Sequence, residues 1–230
     1  MGVYAIADLH LSGFREKPMN IFGENWNNHW EKIKDSWHEC VKDGDVVLIP
    51  GDISWAMKLN EVKVDIDEVC ALPGKKILLR GNHDYWWSSL TKVNSILSNN
   101  TYALQNNSFI IGDYVIVGTR GWTMSMDKAT SQDLVIYNRE VERLKLSVAS
   151  VDEVEAGSRA RVAMFHFPPF NETHSPSELT DILAQFKVSE AVYGHLHEKS
   201  LKGAFNGPLD GVNYSLVSCD YLDFKLKKII

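Results

Sequence analysis

Short apolar runs recur along the chain, and each is closed by a polar group. Val3-Tyr4-Ala5-Ile6 leads to Asp8-Leu9-His10, Val46-Val47-Leu48-Ile49 to Gly51-Asp52, and Lys76-Ile77-Leu78-Leu79 to Arg80-Gly81-Asn82-His83-Asp84. Further on, Val162-Ala163-Met164-Phe165 leads to His166 and Ala191-Val192-Tyr193 to Gly194-His195-Leu196-His197. Runs of this length, bounded by turn signals such as Pro73-Gly74, read as buried strands. Polar residues at the carboxyl ends of strands are where open α/β folds place their ligands.

Helical spacing fills the intervals. Trp26, Trp30, Ile33, Trp37 and Val41 recur at steps of three and four, predicting an amphipathic helix whose tryptophans face a core, with His29 and His38 at its surface or in helix packing. A second helix, Asn60 to Leu72, turns Val62, Ile66 and Val69 inward and stops at Pro73-Gly74. Strand, helix, strand, helix, strand implies parallel pairing with right-handed crossovers, which brings the polar strand ends to one edge. A third helix is expected from Trp87 to Leu97, stopping at Asn99-Asn100, then a hairpin turning at Gly112-Asp113 and a long helix from Ser131 to Val148. Ser175-Pro176-Ser177-Glu178 reads as a capping box opening a helix with Leu179, Ile182, Leu183 and Phe186 on one face. Lys225, Lys227 and Lys228 near the end of the chain suit an edge strand protected against pairing. The loop from Leu11 to Glu24 is long enough to overhang a site at the strand ends.

Composition adds boundaries. At 230 residues, with no linker-like stretch and no repeat, one domain spanning 1–230 is the simpler organisation. A formal charge of −6 disfavours extended nucleic acid as the main partner, because phosphate-backbone affinity rests on clustered Lys and Arg. Cys40, Cys70 and Cys219 are odd in number and lack metal or redox spacing, which fits free thiols in a reducing compartment and a cytoplasmic protein. The chain opens directly on its first strand, so no signal peptide is expected, and no apolar stretch approaches the length of a membrane span.

The strand ends together offer Asp8, His10, Asp52, Asn82, His166, His195 and His197, a set of carboxylate, amide and imidazole donors without a thiolate. Singly, an Asp-x-His or a Gly-Asp is an ordinary turn. Five such pieces, each after a strand, gather five of the eight histidines at one edge. Such donors suit Mn, Fe or Zn better than Ca or Mg, and seven exceed what one ion needs, so two divalent metal ions are expected. With Asp52 as the simplest shared carboxylate, the ions would hold a hydroxide nucleophile between them. His83 is left over as a proton donor to a leaving oxygen, with Asp84 expected to orient its ring. Arg120, Trp122, Trp86, Trp87 and Phe167 are candidate rim residues for a phosphorylated substrate. The tryptophans fit a core role equally well, and Arg120 a surface ion pair.

In this order, Asp8-x-His10, Gly51-Asp52, Gly81-Asn82-His83-Asp84, His166 and Gly194-His195-x-His197 resemble the calcineurin-like metallophosphoesterase superfamily over nearly the whole chain. The resemblance implies an α/β fold, a two-sheet mixed β-sandwich flanked by helices in αββα layers. It would give Asp8, His10, Asp52 and His197 to one metal, and Asp52, Asn82, His166 and His195 to the other, with Asn82 also touching substrate and His83 assisting the leaving group. The implied activity is hydrolysis of a small phosphomonoester, phosphodiester or pyrophosphate; the alternatives are a nuclease of the same superfamily or a non-catalytic scaffold. Trp55 stands where purple acid phosphatases carry a tyrosine ligand, and the Asp-Arg-Gly of the phosphoprotein phosphatases is absent, which argues against both.

Overall fold

The structure is a computed structural model that describes residues 1–230 apart from Glu16, Asn99 and Met126. Strands β1 (Val3–Ala5), β2 (Val46–Ile49), β3 (Lys75–Leu79) and β4 (Thr101–Leu104) run parallel, connected through helices α1 (His29–Cys40), α2 (Leu59–Ala71) and α3 (Leu90–Asn94). The hairpin β5 (Phe109–Ile111) and β6 (Tyr114–Thr119) opens the second half, followed by α4 (Ser131–Ala149), α5 (Glu153–Ala156), β7 (Ala160–Phe165), α6 (Glu178–Gln185) and β8 (Glu190–Tyr193). A second hairpin, β9 (Gly207–Leu209) and β10 (Val212–Leu216), precedes the short β11 (Lys227–Lys228). Among the described residues these strands make two mixed sheets, ordered β11-β1-β2-β3-β4 and β5-β6-β7-β8-β10-β9.

Three apolar layers explain why the runs are continuous rather than alternating. Val3, Ala5, Val46, Leu48, Ile77 and Leu79 of the first sheet pack between the sheets against Ile116, Val162, Met164 and Val192 of the second. The opposite faces are covered too: Val47, Ile49 and Leu78 lie under Ile33, Trp37, Val62 and Ile66 of α1 and α2. Val117, Ala163 and Tyr193 lie under Val141 and Leu144 of α4 and Leu179 and Leu183 of α6. Strands buried on both faces have no polar side to alternate with. The result is the expected αββα sandwich.

Local boundaries differ from the sequence reading where side chains found other partners. The first helix starts at His29, and Trp26 sits before it in a single 3₁₀ turn. The third helix shrinks to Leu90–Asn94 because Trp86 and Trp87 are buried in the preceding turn, their indole N–H groups donating to Asp84 and Gln105. Its predicted stop at Asn99 lies outside the described residues. β4, unread in the sequence, pairs with β3 from Lys76↔Thr101 to Leu79↔Leu104. The cap of α6 is Ser177 rather than Ser175: its hydroxyl accepts the Thr180 N–H at 3.3 Å while the Thr180 hydroxyl accepts the Ser177 N–H at 2.8 Å. Lys227 and Lys228 form an edge strand against β1. No helix among the described residues is long and apolar enough to cross a membrane.

Candidate metal centre

The backbone bends sharply where the strands end. Asp8, His10, Asp52 and His195 all have left-handed backbone, with φ of 62°, 47°, 51° and 72°. Such conformations cost about 1–3 kcal/mol each for side-chain-bearing residues and persist only where surrounding structure enforces them. Here the enforcement is visible: the Asp8 N–H donates to the Gly51 carbonyl and the His10 N–H to the Asp52 carbonyl, both at 3.0 Å. The His195 N–H donates to Asp8 Oδ2 at 3.0 Å. Two glycines permit the close approach. A Cβ on Gly81 would stand 2.1 Å from Asp52 Oδ1, and one on Gly194 would stand 2.6 Å from Asp8 Oδ2.

These bends bring all seven candidate ligands to one edge. Ligand atoms of Asp8, His10 and His197 lie within 4.8 Å of one another, and so do those of Asp8, Asp52 and His166. Asp52 Oδ2 is 3.9 Å from His10 Nε2 and 3.5 Å from His166 Nε2, between histidines that the resemblance assigns to different ions. Asn82 Oδ1 faces His166 Nε2 at 2.6 Å and His195 Nδ1 at 3.0 Å.

Burial and mutual charge set the protonation of the cluster. Burial alone would raise Asp8, but His197, His166 and His10 hold it well below the usual carboxylate range. Burial and the charge of Asp8 push Asp52 up to about 8. Burial presses His10 and His166 down, and His195 to about 3. His197 goes the other way: against burial, Asp8 and Asp220 push it up to about 10. Two carboxylates this close cannot both stay charged without a cation, and the protons on Asp52 and His197 are what divalent ions would replace.

The donor set fits metal. His166 Nδ1 lies 3.0 Å from the Pro50 carbonyl, which can only accept, so a neutral ring turns its bare Nε2 lone pair toward the Asn82 oxygen. His197 Nδ1 lies 2.7 Å from Asp220 Oδ1, leaving a buried Nε2 without a hydrogen-bond partner, and His10 Nδ1 is likewise buried and unpartnered. Oxygen and nitrogen donors converge, and outer partners fix the ring orientations as they do around metal-bound imidazoles. Asp220 and the Pro50 carbonyl were not read in the sequence. Asp220 comes four residues after the end of β10, beyond Ser218 and Cys219 rather than directly at the strand's end, and a carbonyl carries no sequence mark.

The remaining candidates fall in different places. The His83 ring lies 5.7 Å from His10 and 4.6 Å from Trp55, and burial lowers its pKa. Asp84, expected to orient that ring, does not touch it. It is fully buried and binds the loops instead, Oδ1 accepting from Ile53 N–H at 2.9 Å, Ser54 N–H at 3.2 Å and Trp86 Nε1 at 3.0 Å, and Oδ2 from Gly81 N–H at 2.7 Å. Burial and the charge of Asp52 push Asp84 up to about 6. Arg120 turns to Glu140, 3.5 Å away, beside a separate recess. Trp122 donates to Asp133 at 3.1 Å and borders a different hollow with Tyr137 and Phe170. Trp86 and Trp87 are core.

Over the metal centre lies a hollow of about 280 Å³ lined by His10, His83, His197, Met19, Trp26 and Trp55, with Phe22 and Lys199 at its sides. His10 stacks on Trp55 with centroids 4.7 Å apart, and Lys17 sits on that indole ring at 2.9 Å. The loop after Leu11 therefore does overhang the strand ends. Its contribution of Met19 and Phe22 was not foreseen, because an irregular loop offers no periodicity from which to read a facing side.

Comparison with known proteins agrees with this arrangement. The crystal structure of a protein of unknown function, AQ665, from Aquifex aeolicus is 15% identical with a TM-score of 0.51, covering 99% of this chain and 95% of that one. That of phosphopantetheinyl hydrolase from Mycobacterium tuberculosis is 13% identical with a TM-score of 0.58, covering 100% of this chain and 95% of that one. At such identities the likeness concerns the fold. No curated protein matches the chain. The profile of the calcineurin-like phosphoesterase family matches residues 1–199, from the first strand through the His195–His197 pair, and the chain belongs to that family.

Proposed function

We propose that this protein is a binuclear metal-dependent phosphohydrolase cleaving a small phosphomonoester, phosphodiester or pyrophosphate. The observation that carries the reading is the pair of donor groups, Asp8 with His10 and His197 and Asp8 with Asp52 and His166, directly under His83 and an aromatic hollow. Asp8, His10, Asp52 and His197 would hold one ion, and Asp52, Asn82, His166 and His195 the other, with Mn, Fe or Zn matching the mixed donors. When bound, such ions acidify a water toward neutral pH and compensate charge on the phosphoryl oxygens.

The protein's own groups complete the reaction. Asp8 and Asp52 fix the position of the centre from two different strand ends, and Asp84 ties the Asp52 loop to the loop after β3 by bridging Gly81 to Ile53 and Ser54. A ring nitrogen of His83 gives its proton to the leaving oxygen. Trp26 and Trp55 keep water from the leaving-group side and offer flat apolar walls to it. The hollow holds one small organic group, which together with the acidic chain favours a small molecule over a polynucleotide. The test is turnover of mono-, di- and pyrophosphate esters, a phosphopantetheinyl ester among them, after stripping metal and restoring Mn, Fe or Zn singly. Metal-dependent turnover of at least one class is the expected result. No turnover with any ion would overturn the proposal.

A further inference from the structure

At the carboxyl ends of β3, β4 and β6, one strand along from the metal centre, a recess of about 60 Å³ is lined by Arg80, Arg120 and Arg143 around the carboxylate of Glu140, with Ser88 and Gln105 in its wall. Glu140 is wholly buried and accepts three hydrogen bonds: Oε2 takes the Thr119 hydroxyl at 2.6 Å, while Oε1 takes Arg143 at 2.6 Å and Arg120 at 3.5 Å. Arg80 makes no ion pair among the described residues, and the Nε atoms of both Arg80 and Arg120 are buried without a hydrogen-bond partner. Three guanidinium groups against one carboxylate leave the recess positively charged. Buried, unpartnered guanidinium N–H groups cost stability that an incoming anion restores through charge-assisted hydrogen bonds.

Both arginines are fastened to the candidate centre by their own backbone. Arg80 stands two residues before Asn82, and the Arg120 carbonyl accepts the N–H of His166 at 3.0 Å and that of Phe167 at 2.9 Å. We infer that the recess is an oxyanion subsite that takes a phosphate or carboxylate group beside the one being hydrolysed. A water occupies about 30 Å³, so the space admits one such group and no sugar or base. The inference rests on the phosphohydrolase reading. On that reading the anion is either a second charged group of the substrate or free orthophosphate.

Selenate soaked into crystals of the metal-loaded protein should give anomalous density at Arg80 and Arg120, and Arg80→Gln or Arg120→Gln should remove it. Esters that differ by one remote phosphate or carboxylate identify the source. If the substrate supplies the anion, kcat/KM of the doubly charged ester exceeds that of its partner by about tenfold or more, through KM, and either variant pulls the ratio toward one. Arg80→Lys, which keeps charge without the planar fork, should fall between wild type and Arg80→Gln and guards against a folding defect. Equal turnover of the two esters with selenate bound assigns the recess to a free oxyanion. Absence of selenate there, together with an ester ratio that the variants leave unchanged, overturns the inference and leaves the phosphohydrolase reading standing. Selenate in the recess of a protein that hydrolyses none of the esters does the reverse.

Discussion

Asp220 holds His197 from behind: its Oδ1 accepts the Nδ1–H of that ring at 2.7 Å across a separation of 23 residues, and this turns Nε2 toward Asp8 Oδ1, 3.5 Å away. A carboxylate in this position fixes the tautomer of a metal-binding imidazole and raises its basicity. Asp220→Asn removes the charge while keeping the shape. Metal affinity should fall by about 10–100-fold, measured by competition with a chromophoric chelator, and turnover should recover at saturating metal. Unchanged affinity would show that Asp220 serves the fold only.

The same pair fixes a pH dependence. In the metal-free protein His197 is raised to about 10 by Asp8 and Asp220, above its ordinary value of 6.5. A raised histidine contributes stability that is fully present below pH 6.5 and is lost as pH rises through about 10. Metal needs the bare nitrogen, so binding must displace that proton. Over the same window the affinity should rise by up to about tenfold per pH unit for this proton, and more steeply below about 8, where Asp52 is protonated as well. Calorimetric titration of the metal-free protein at neutral pH, in buffers of different ionisation enthalpy, should show proton release. A heat independent of buffer would contradict the assignment.

Asp84 illustrates what was legible in the sequence and what was not. The motif Gly81-Asn82-His83-Asp84 marked the right strand end, because a buried parallel strand is a short apolar run and its polar ending stands out. The direction of each side chain was not legible, since residues in the loop after β3 leave the strand's alternation. Neighbouring His83 and Asp84 therefore looked like partners in sequence, yet in the fold Asp84 points into the protein to the loop of Ile53 and Ser54. Arg120 and Trp122 stay together, the guanidinium 5.5 Å from the centre of the indole ring, while Gly121 between them, with φ of 71°, lets their polar atoms reach Glu140 and Asp133. Long-range partners such as Asp220 and Glu140 carry no local pattern at all.

Asp84→Asn tests this structural role. The new amide nitrogen would face the Gly81 N–H in place of an acceptor that now lies 2.7 Å from it. Leaving two buried donors opposed should cost about 2–4 kcal/mol, read as a lower denaturant midpoint at unchanged slope. If Asp84 instead tuned the His83 ring, stability would stay level and only the pH profile of turnover would move.

Lys76 stands first in the run Lys76-Ile77-Leu78-Leu79, and its ammonium group is buried at the end of α2. There it donates to the carbonyls of Cys70 at 3.0 Å, Leu72 at 2.7 Å and Gly74 at 3.0 Å. Those carbonyls would otherwise be the unsatisfied end of the helix and its turn. Lys76→Met keeps the length and removes the donors, and should destabilise the protein by about 2–4 kcal/mol. Metal binding should be unaffected, because Lys76 caps the C-terminal end of α2 at the start of β3, at the opposite edge of the sheet from the strand ends. A variant as stable as wild type would show that water or a shifted turn satisfies the carbonyls.

His83 stands beside the candidate metal ligands: its backbone N–H donates to Asp52 Oδ1 at 2.8 Å, while its ring rests against Trp55 in the wall of the hollow. On the proposed reaction the ring would reach a leaving group held between Trp26 and Trp55, which line the same hollow. His83→Ala should therefore retain both ions and slow hydrolysis by about 10²- to 10⁴-fold on esters whose leaving oxygen is a poor anion. An activated leaving group needs no proton. The same variant should lose far less rate on p-nitrophenyl phosphate or its bis-ester, because nitrophenolate departs as a stable anion. The comparison separates proton donation from other roles. Equal losses on both kinds of ester would mean that His83 stabilises charge on the phosphoryl group, and loss of metal would mean that the bend at Gly81-Asn82, rather than the imidazole, is what the substitution disturbs.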